Sequence, residues 1–253
     1  MPISSTWVIC RKRTAAPLRL FCFPHAGGGG SVYRDWTDEA APNIEVCWVQ
    51  WPGRENRIRE RPFGFVDELV PPLVNGLSQW LDRPFAFYGH SLGAKIAFET
   101  IRGLRRSGVA QPCHLFVGAC QAPQLPWPYP HMHELAEPEF ISEIQQRYGG
   151  VPRHIVQDAD LRALLIPTLR ADIKLMETYR YTPEPPLDCA ITVFGGAADH
   201  TIDRFALEAW RRQTSKAFRL LTIPGNHFFL QSARKQLLSA IGSALELNAM
   251  TVV

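Results

Sequence analysis

A serine hydroxyl attacks a carbonyl only when a nearby base takes its proton, and three residues of this chain have the spacing for that chemistry. Ser91 stands in Gly89-His90-Ser91-Leu92-Gly93. The apolar run before it, Pro84 to Tyr88, predicts a buried strand, and Ala94 to Ile101 after it predicts an amphipathic helix. Strand, G-x-S-x-G and helix in succession predict a nucleophile elbow. So tight a turn needs residues nearly free of side chain two places before and two after the serine. The helix N-terminus then favours negative charge beside the serine oxygen. The plain alternative is a glycine turn whose serine caps a helix.

The remaining parts are expected in the order acid, then histidine, each on a loop after a strand. The run Ile191 to Gly196 predicts a strand leading into a loop that carries Asp199. Asp203 lies further from that strand and suits a helix cap. The run Leu220 to Ile223 leads to His227, the expected base, whereas His200 adjoins the acid it would have to face. An oxyanion needs two donors. The N–H of Leu92 is one. The second is the N–H of Ala26, in Phe23-Pro24-His25-Ala26-Gly27-Gly28-Gly29-Gly30, where glycines allow close backbone approach. His25 is read as a hydrogen-bonded structural residue. A phosphate-binding reading of these glycines is weak, because the P-loop lysine and dinucleotide spacing are missing.

Elements that could position these residues alternate along the chain. Strands are predicted at 18–23, 44–49, 84–88, 114–119, 190–194 and 218–223, and helices at 67–81, 94–107, 204–214 and 234–247. Alternation with continuously apolar strands predicts an α/β fold, a mostly parallel sheet with helices on both faces. The rhythm breaks between Pro123 and Pro186, where Glu137 to Tyr148 and Ala159 to Tyr181 read as helices. Residues 1–122 and 187–253 are therefore expected to form the core, and 123–186 a helical lid above Ser91. Within the lid, Pro126, Trp127, Tyr129 and Met132 are candidates to line a substrate chamber.

Bulk properties exclude several classes. The chain has 253 residues, 46% hydrophobic and 20% charged, with a net charge of +3. These are globular values. Neither Arg11-Lys12-Arg13 nor Arg211-Arg212 is dense enough to suggest nucleic acid. No run approaches the roughly 18 to 20 apolar residues of a membrane span, and the opening Met1-Pro2-Ile3-Ser4-Ser5-Thr6 lacks a signal-peptide pattern. A cytoplasmic protein is expected. The six cysteines form no C-x-x-C; Cys22, Cys47, Cys120 and Cys189, in or beside strand-like runs, are read as buried free thiols. His131 and His133 lack third and fourth ligands, so no metal site is expected.

The chain resembles the type II, proofreading thioesterases that accompany non-ribosomal peptide and polyketide synthases. The resemblance rests on Phe23-Pro24-His25-Ala26-Gly27-Gly28, Trp51-Pro52-Gly53-Arg54-Glu55-Asn56-Arg57, Gly89-His90-Ser91-Leu92-Gly93-Ala94, Leu169-Arg170-Ala171-Asp172, Glu177-Thr178-Tyr179-Arg180-Tyr181 and His227-Phe228-Phe229-Leu230. Leu92, Trp51 and Asn56 depart from the commoner methionine, leucine and aspartate. The resemblance implies an α/β-hydrolase fold with a mobile lid, and hydrolysis of acyl thioesters on the phosphopantetheine arm of an acyl or peptidyl carrier protein. No cofactor and a monomeric state are expected. Other readings are a medium-chain fatty acyl thioesterase, a general carboxylesterase, a receptor without turnover and a structural synthase subunit.

Overall fold

The computed structural model describes residues 3–4, 6–11, 15–149 and 151–250. Lys12 and Arg13, and Met1, Pro2 and Ser5 of the opening segment, lie outside the described residues. The strands are β1 (Ile3–Ser4), β2 (Val8–Cys10), β3 (Leu18–Phe23), β4 (Ile44–Val49), β5 (Phe85–His90), β6 (His114–Gly118), β7 (Ala190–Gly196) and β8 (Phe218–Ile223). The α-helices are α1 (Trp36–Glu39), α2 (Val66–Ser78), α3 (Leu92–Arg106), α4 (Glu137–Tyr148), α5 (Arg153–Gln157), α6 (Ala159–Thr178), α7 (Arg204–Glu208), α8 (Phe229–Ser232) and α9 (Arg234–Met250).

One eight-stranded sheet runs β1-β2-β4-β3-β5-β6-β7-β8. β3 to β8 are parallel, and β1 and β2 add an antiparallel edge. Successive side chains on a strand point to opposite faces, so β3 and β5 feed two cores. Phe21, Phe23, Phe85 and Phe87 pack with α2 and α3 on one face. Leu20, Cys22, Ala86 and Tyr88 pack with Trp36 and α9 on the other. Both faces are buried, and that is why these strands read as continuous apolar runs. Among the described residues no helix is long and apolar enough to cross a membrane.

Two sequence expectations change. The 204–214 segment is a short α-helix followed by a 3-10 turn, Ala209–Gln213. Cys47 is not a free thiol but forms a disulfide with Cys10. These two residues face each other in the antiparallel β2–β4 register, 4.4 Å apart at Cα, a separation suited to a bridge. Three residues are too few for β2 to show a period, so this pairing left no trace in the pattern. Glu45 lies beside both sulfurs, but its carboxylate receives the Arg19 guanidinium at 2.8 Å. Cys22, Cys120 and Cys189 are free and buried.

The helical insert between β6 and β7 carries α4, α5 and α6. Its small core holds Met132, Phe140, Ile141, Ile144, Ile166 and Ile173. Where the chain leaves α6 for β7, Glu184 receives Arg102, Arg105 and Arg106 of α3 at 2.8, 2.7 and 2.6 Å. Partial burial raises the Glu184 carboxyl, but the guanidinium hydrogen bonds outweigh it and hold the group down to about 2. A depressed carboxyl stabilises the fold above its ordinary value and loses that contribution as pH falls through the folded value. Glu184→Gln is expected to lower the melting temperature by roughly 2–4 °C at neutral pH. Melts at successively lower pH should show the gap closing below about pH 4; a gap independent of pH would contradict the assignment.

Candidate active site

β5 lies between β3 and β6 in the sheet and delivers Ser91 to the N-terminus of α3. Ser91 has φ 54° and ψ −118°, a backbone region that L-residues rarely occupy. The flanking glycines are required by space. A Cβ on Gly89 would lie 2.4 Å from the backbone of Ala94, and one on Gly93 would lie 2.1 Å from the carbonyl of Phe23. The Ser91 N–H donates to the carbonyl of Gly118 at 2.8 Å, tying the turn to β6.

His227 follows β8, and its Nδ1 donates to Asp199 Oδ2 at 2.9 Å. Thr201 Oγ1 donates to Asp199 Oδ1 at 2.6 Å and lies 3.1 Å from the same Nδ1. Burial raises the Asp199 carboxyl, but the bonds from His227 and Thr201 outweigh it and leave the group below its ordinary value. An anionic Asp199 fixes the proton on Nδ1 and leaves Nε2 as the basic nitrogen. Asp203 is spent elsewhere: its Oδ1 accepts from Ala206 N at 2.7 Å and caps α7.

Ser91 and His227 border the same two pockets. Among the described residues no hydrogen bond joins Ser91 Oγ to the imidazole, a separation common in unliganded sites. The N–H groups of Ala26 and Leu92 have no backbone acceptor among the described residues. Leu92 opens α3, and the first N–H groups of a helix lack intrahelical partners. His25 hydrogen-bonds the Ala26 carbonyl through Nδ1 at 2.9 Å, and its Nε2 has no partner among the described residues.

The larger pocket, about 360 Å³, runs between the oxyanion loop and the insert, lined by Ala26, Gly28, Ile155, Leu165, Leu169 and Phe228 among others. The smaller, about 20 Å³, is bordered by Ser91, Lys95, Cys120 and Thr201. Trp127 and Tyr129 line the smaller one. Met132 lines neither: it is 1% exposed in the core of the insert, and its N–H donates to Glu177 at 2.8 Å. His133 also hydrogen-bonds Glu177 through Nδ1.

Two positioning groups were not legible as such in the sequence. His90 is fully buried, accepts from Tyr88 Oη at 3.0 Å and donates Nε2–H to the carbonyl of His227 at 2.7 Å. Burial and the neighbouring His227 and His25 hold it well below the ordinary histidine range, so it works as a neutral strut. Asp172 of α6 pairs with Arg54 through both carboxylate oxygens, at 2.8 and 2.7 Å, with 1% and 4% side-chain exposure. The same carboxylate accepts from Gly27 N at 2.8 Å, and Arg54 also donates to the Gly28 carbonyl at 2.9 Å. The insert thereby fixes the loop that carries Ala26. Both residues stand in stretches that carried the family resemblance.

With this geometry in place, the chain can be compared with known proteins. A thioesterase domain family model matches residues 18–245. The chain belongs to the thioesterase family. It is a thioester hydrolase of the α/β type. It is 38% identical over 245 residues to the gramicidin S biosynthesis protein GrsT of Aneurinibacillus migulanus, covering 97% of this chain and 95% of that one. Among solved structures, the RedJ thioesterase of the prodiginine pathway in Streptomyces coelicolor superposes with a TM-score of 0.84 at 39% identity, covering 90% of this chain and 86% of that one. The type II thioesterase BorB from the borrelidin biosynthetic cluster gives 0.85 at 31% identity, covering 96% and 98%.

Asp172→Ala in this thioesterase leaves the Arg54 guanidinium buried without its partner and the Gly27 N–H unsatisfied. Breaking one side of such a buried pair typically costs about 3–5 kcal/mol. Chemical denaturation should register a loss on that scale, with part recovered when Arg54→Met is added. A loss under about 1 kcal/mol would assign the pair a surface-like role.

Proposed function

We propose that this thioesterase frees stalled or unwanted acyl groups from the phosphopantetheine arms of carrier proteins in non-ribosomal peptide or polyketide synthesis. The similarity to GrsT, RedJ and BorB, of gramicidin S, prodiginine and borrelidin biosynthesis, and to ClbQ and YbtT, of the colibactin and yersiniabactin NRPS/PKS pathways, supports the substrate class. The observation that carries the chemistry is the Asp199–His227 hydrogen bond beside a serine raised at a helix N-terminus.

His227 Nε2 takes the Ser91 proton as the oxygen attacks the thioester carbonyl. Asp199 holds the imidazole and stabilises its charged form. The N–H groups of Ala26 and Leu92 receive the oxyanion, each contributing about 3–4 kcal/mol to the barrier reduction. Collapse returns the His227 proton to the departing pantetheine sulfur and leaves acyl-Ser91. Water, deprotonated by the same imidazole, attacks the ester and releases the acid. The insert serves as the lid, and Trp127 and Tyr129 contact the acyl group. The steps need no cofactor. The protein is read as a monomer working in the cytoplasm beside its carrier.

Ser91→Ala is expected to fold normally and to abolish acyl release from acyl-carrier protein. Asp199→Asn should lower kcat on the order of 10³–10⁴-fold, whereas Asp203→Asn, still a good cap, should change it little. Steady-state hydrolysis of one acyl-carrier substrate measures all three; a larger loss at 203 than at 199 would move the acid.

A further inference from the structure

Lys95 stands one helical turn after Ser91 on α3. Side chains on a helix tilt toward its N-terminus, the end at which Ser91 stands. It is 3% exposed and lines the smaller pocket together with Ser91, Cys120, Tyr129 and His227. Its ammonium lies 4.5 Å from the centre of the Tyr179 ring. Among the described residues it has no hydrogen bond or ion pair. Glu99, the carboxylate one turn further on, is already taken by Arg102 at 2.6 Å and the Tyr179 hydroxyl at 2.5 Å. Burial pulls the Lys95 amine below its ordinary value. Cys120 and Glu99 favour the charged amine electrostatically but less than burial opposes it; a buried cation without a hydrogen-bonded counter-ion is costly, and packing alone would be met by methionine or leucine.

Both pockets border Ser91 and His227, so each can take one limb of a thioester whose carbonyl sits at the serine. The smaller admits the centres of water-sized groups over about 20 Å³, the larger over about 360 Å³. A single water needs roughly 10–15 Å³ of such space. A pantetheine arm therefore fits only the larger pocket, and the smaller receives a short acyl chain whose tail meets Lys95.

We infer that Lys95 is a specificity residue that selects short acyl groups ending in a carboxylate, malonyl-type half-acid thioesters, by supplying the counter-charge in the smaller pocket. This rests on the carrier-thioesterase reading above. Malonyl and 3-methylbutanoyl groups have the same branched shape and differ in charge, so they isolate the effect.

The test compares kcat/KM for malonyl-, 3-methylbutanoyl- and acetyl-carrier proteins with the wild-type chain, Lys95→Met and Lys95→Arg. The wild type should favour malonyl over 3-methylbutanoyl by roughly tenfold or more. Lys95→Met should lower that ratio about thirtyfold or more, the scale on which loss of one partner of a buried charge pair acts. Lys95→Arg should keep the preference for malonyl. A wild type that favours 3-methylbutanoyl, or that cleaves acetyl but not malonyl, overturns the inference and leaves the carrier reading standing. So does a Lys95→Met loss that falls equally on all three substrates, which would make Lys95 a packing residue. If Lys95→Met does not fold, the wild-type preference decides alone. A wild type that cleaves none of the three but releases a longer acyl group from a carrier overturns the inference alone, and one that releases no acyl group from any carrier overturns both readings.

Discussion

Ser91 is held in a backbone conformation that costs on the order of 1–3 kcal/mol and persists only when its surroundings over-determine it. Those surroundings are tightly packed around the turn. β5 is flanked by β3 and β6, and α3 starts at once against the carbonyls of Phe23 and Pro24. The two glycines of the turn are fixed by that contact. The same crowding raises the serine above the sheet and leaves the first N–H groups of α3 without acceptors. Nucleophile placement and oxyanion donation are thus one geometric consequence of packing a helix onto the end of a central strand.

Everything else in the site is referred to that turn. Tyr88 and His90, on the same strand, reach across to the carbonyl of His227, so the strand that delivers the serine also sets the height of the imidazole. Two ionic clusters fasten the insert to the core, beside hydrogen bonds such as Thr168 Oγ1 to the Gly53 carbonyl and Tyr129 Oη to the Thr201 carbonyl. Asp172 grips Arg54 and the oxyanion loop, and Glu184 gathers three arginines of α3. Between these anchors the insert roofs both pockets. Because Asp172 belongs to the roof while Gly27 belongs to the oxyanion loop, displacement of the roof at this point would disturb the backbone next to Ala26.

The sequence was most readable where one period or one motif suffices. The apolar runs at 18–23 and 44–49 and the helical pattern at 137–148 match β3, β4 and α4, because burial on both faces or one stripe dictates their composition. The chain order Ser91, Asp199, His227 led to a serine and a histidine that border shared pockets and to an aspartate hydrogen-bonded to that histidine. What stayed hidden depends on partners distant in sequence. His90 acts on a backbone carbonyl 137 residues away, and no residue type advertises that. Cys47 was misread because its partner strand is three residues long. Met132 was misassigned because a proline- and aromatic-rich loop does not reveal which side chains turn into the insert's own core. Lys95 and Glu99 lie in the segment read as an amphipathic helix, yet both are buried; only the fold shows that Tyr179 and Thr182 of the insert's exit segment pack over this part of α3.

The central claim is that Ser91 carries the acyl group through the reaction. Rapid quenching of the protein with an acyl-carrier substrate, followed by mass spectrometry of its peptides, tests this directly. The account predicts an acyl adduct on Ser91 that forms and decays at rates compatible with turnover. Acid release at full rate with no adduct on that residue, or with the adduct on another side chain, would contradict it.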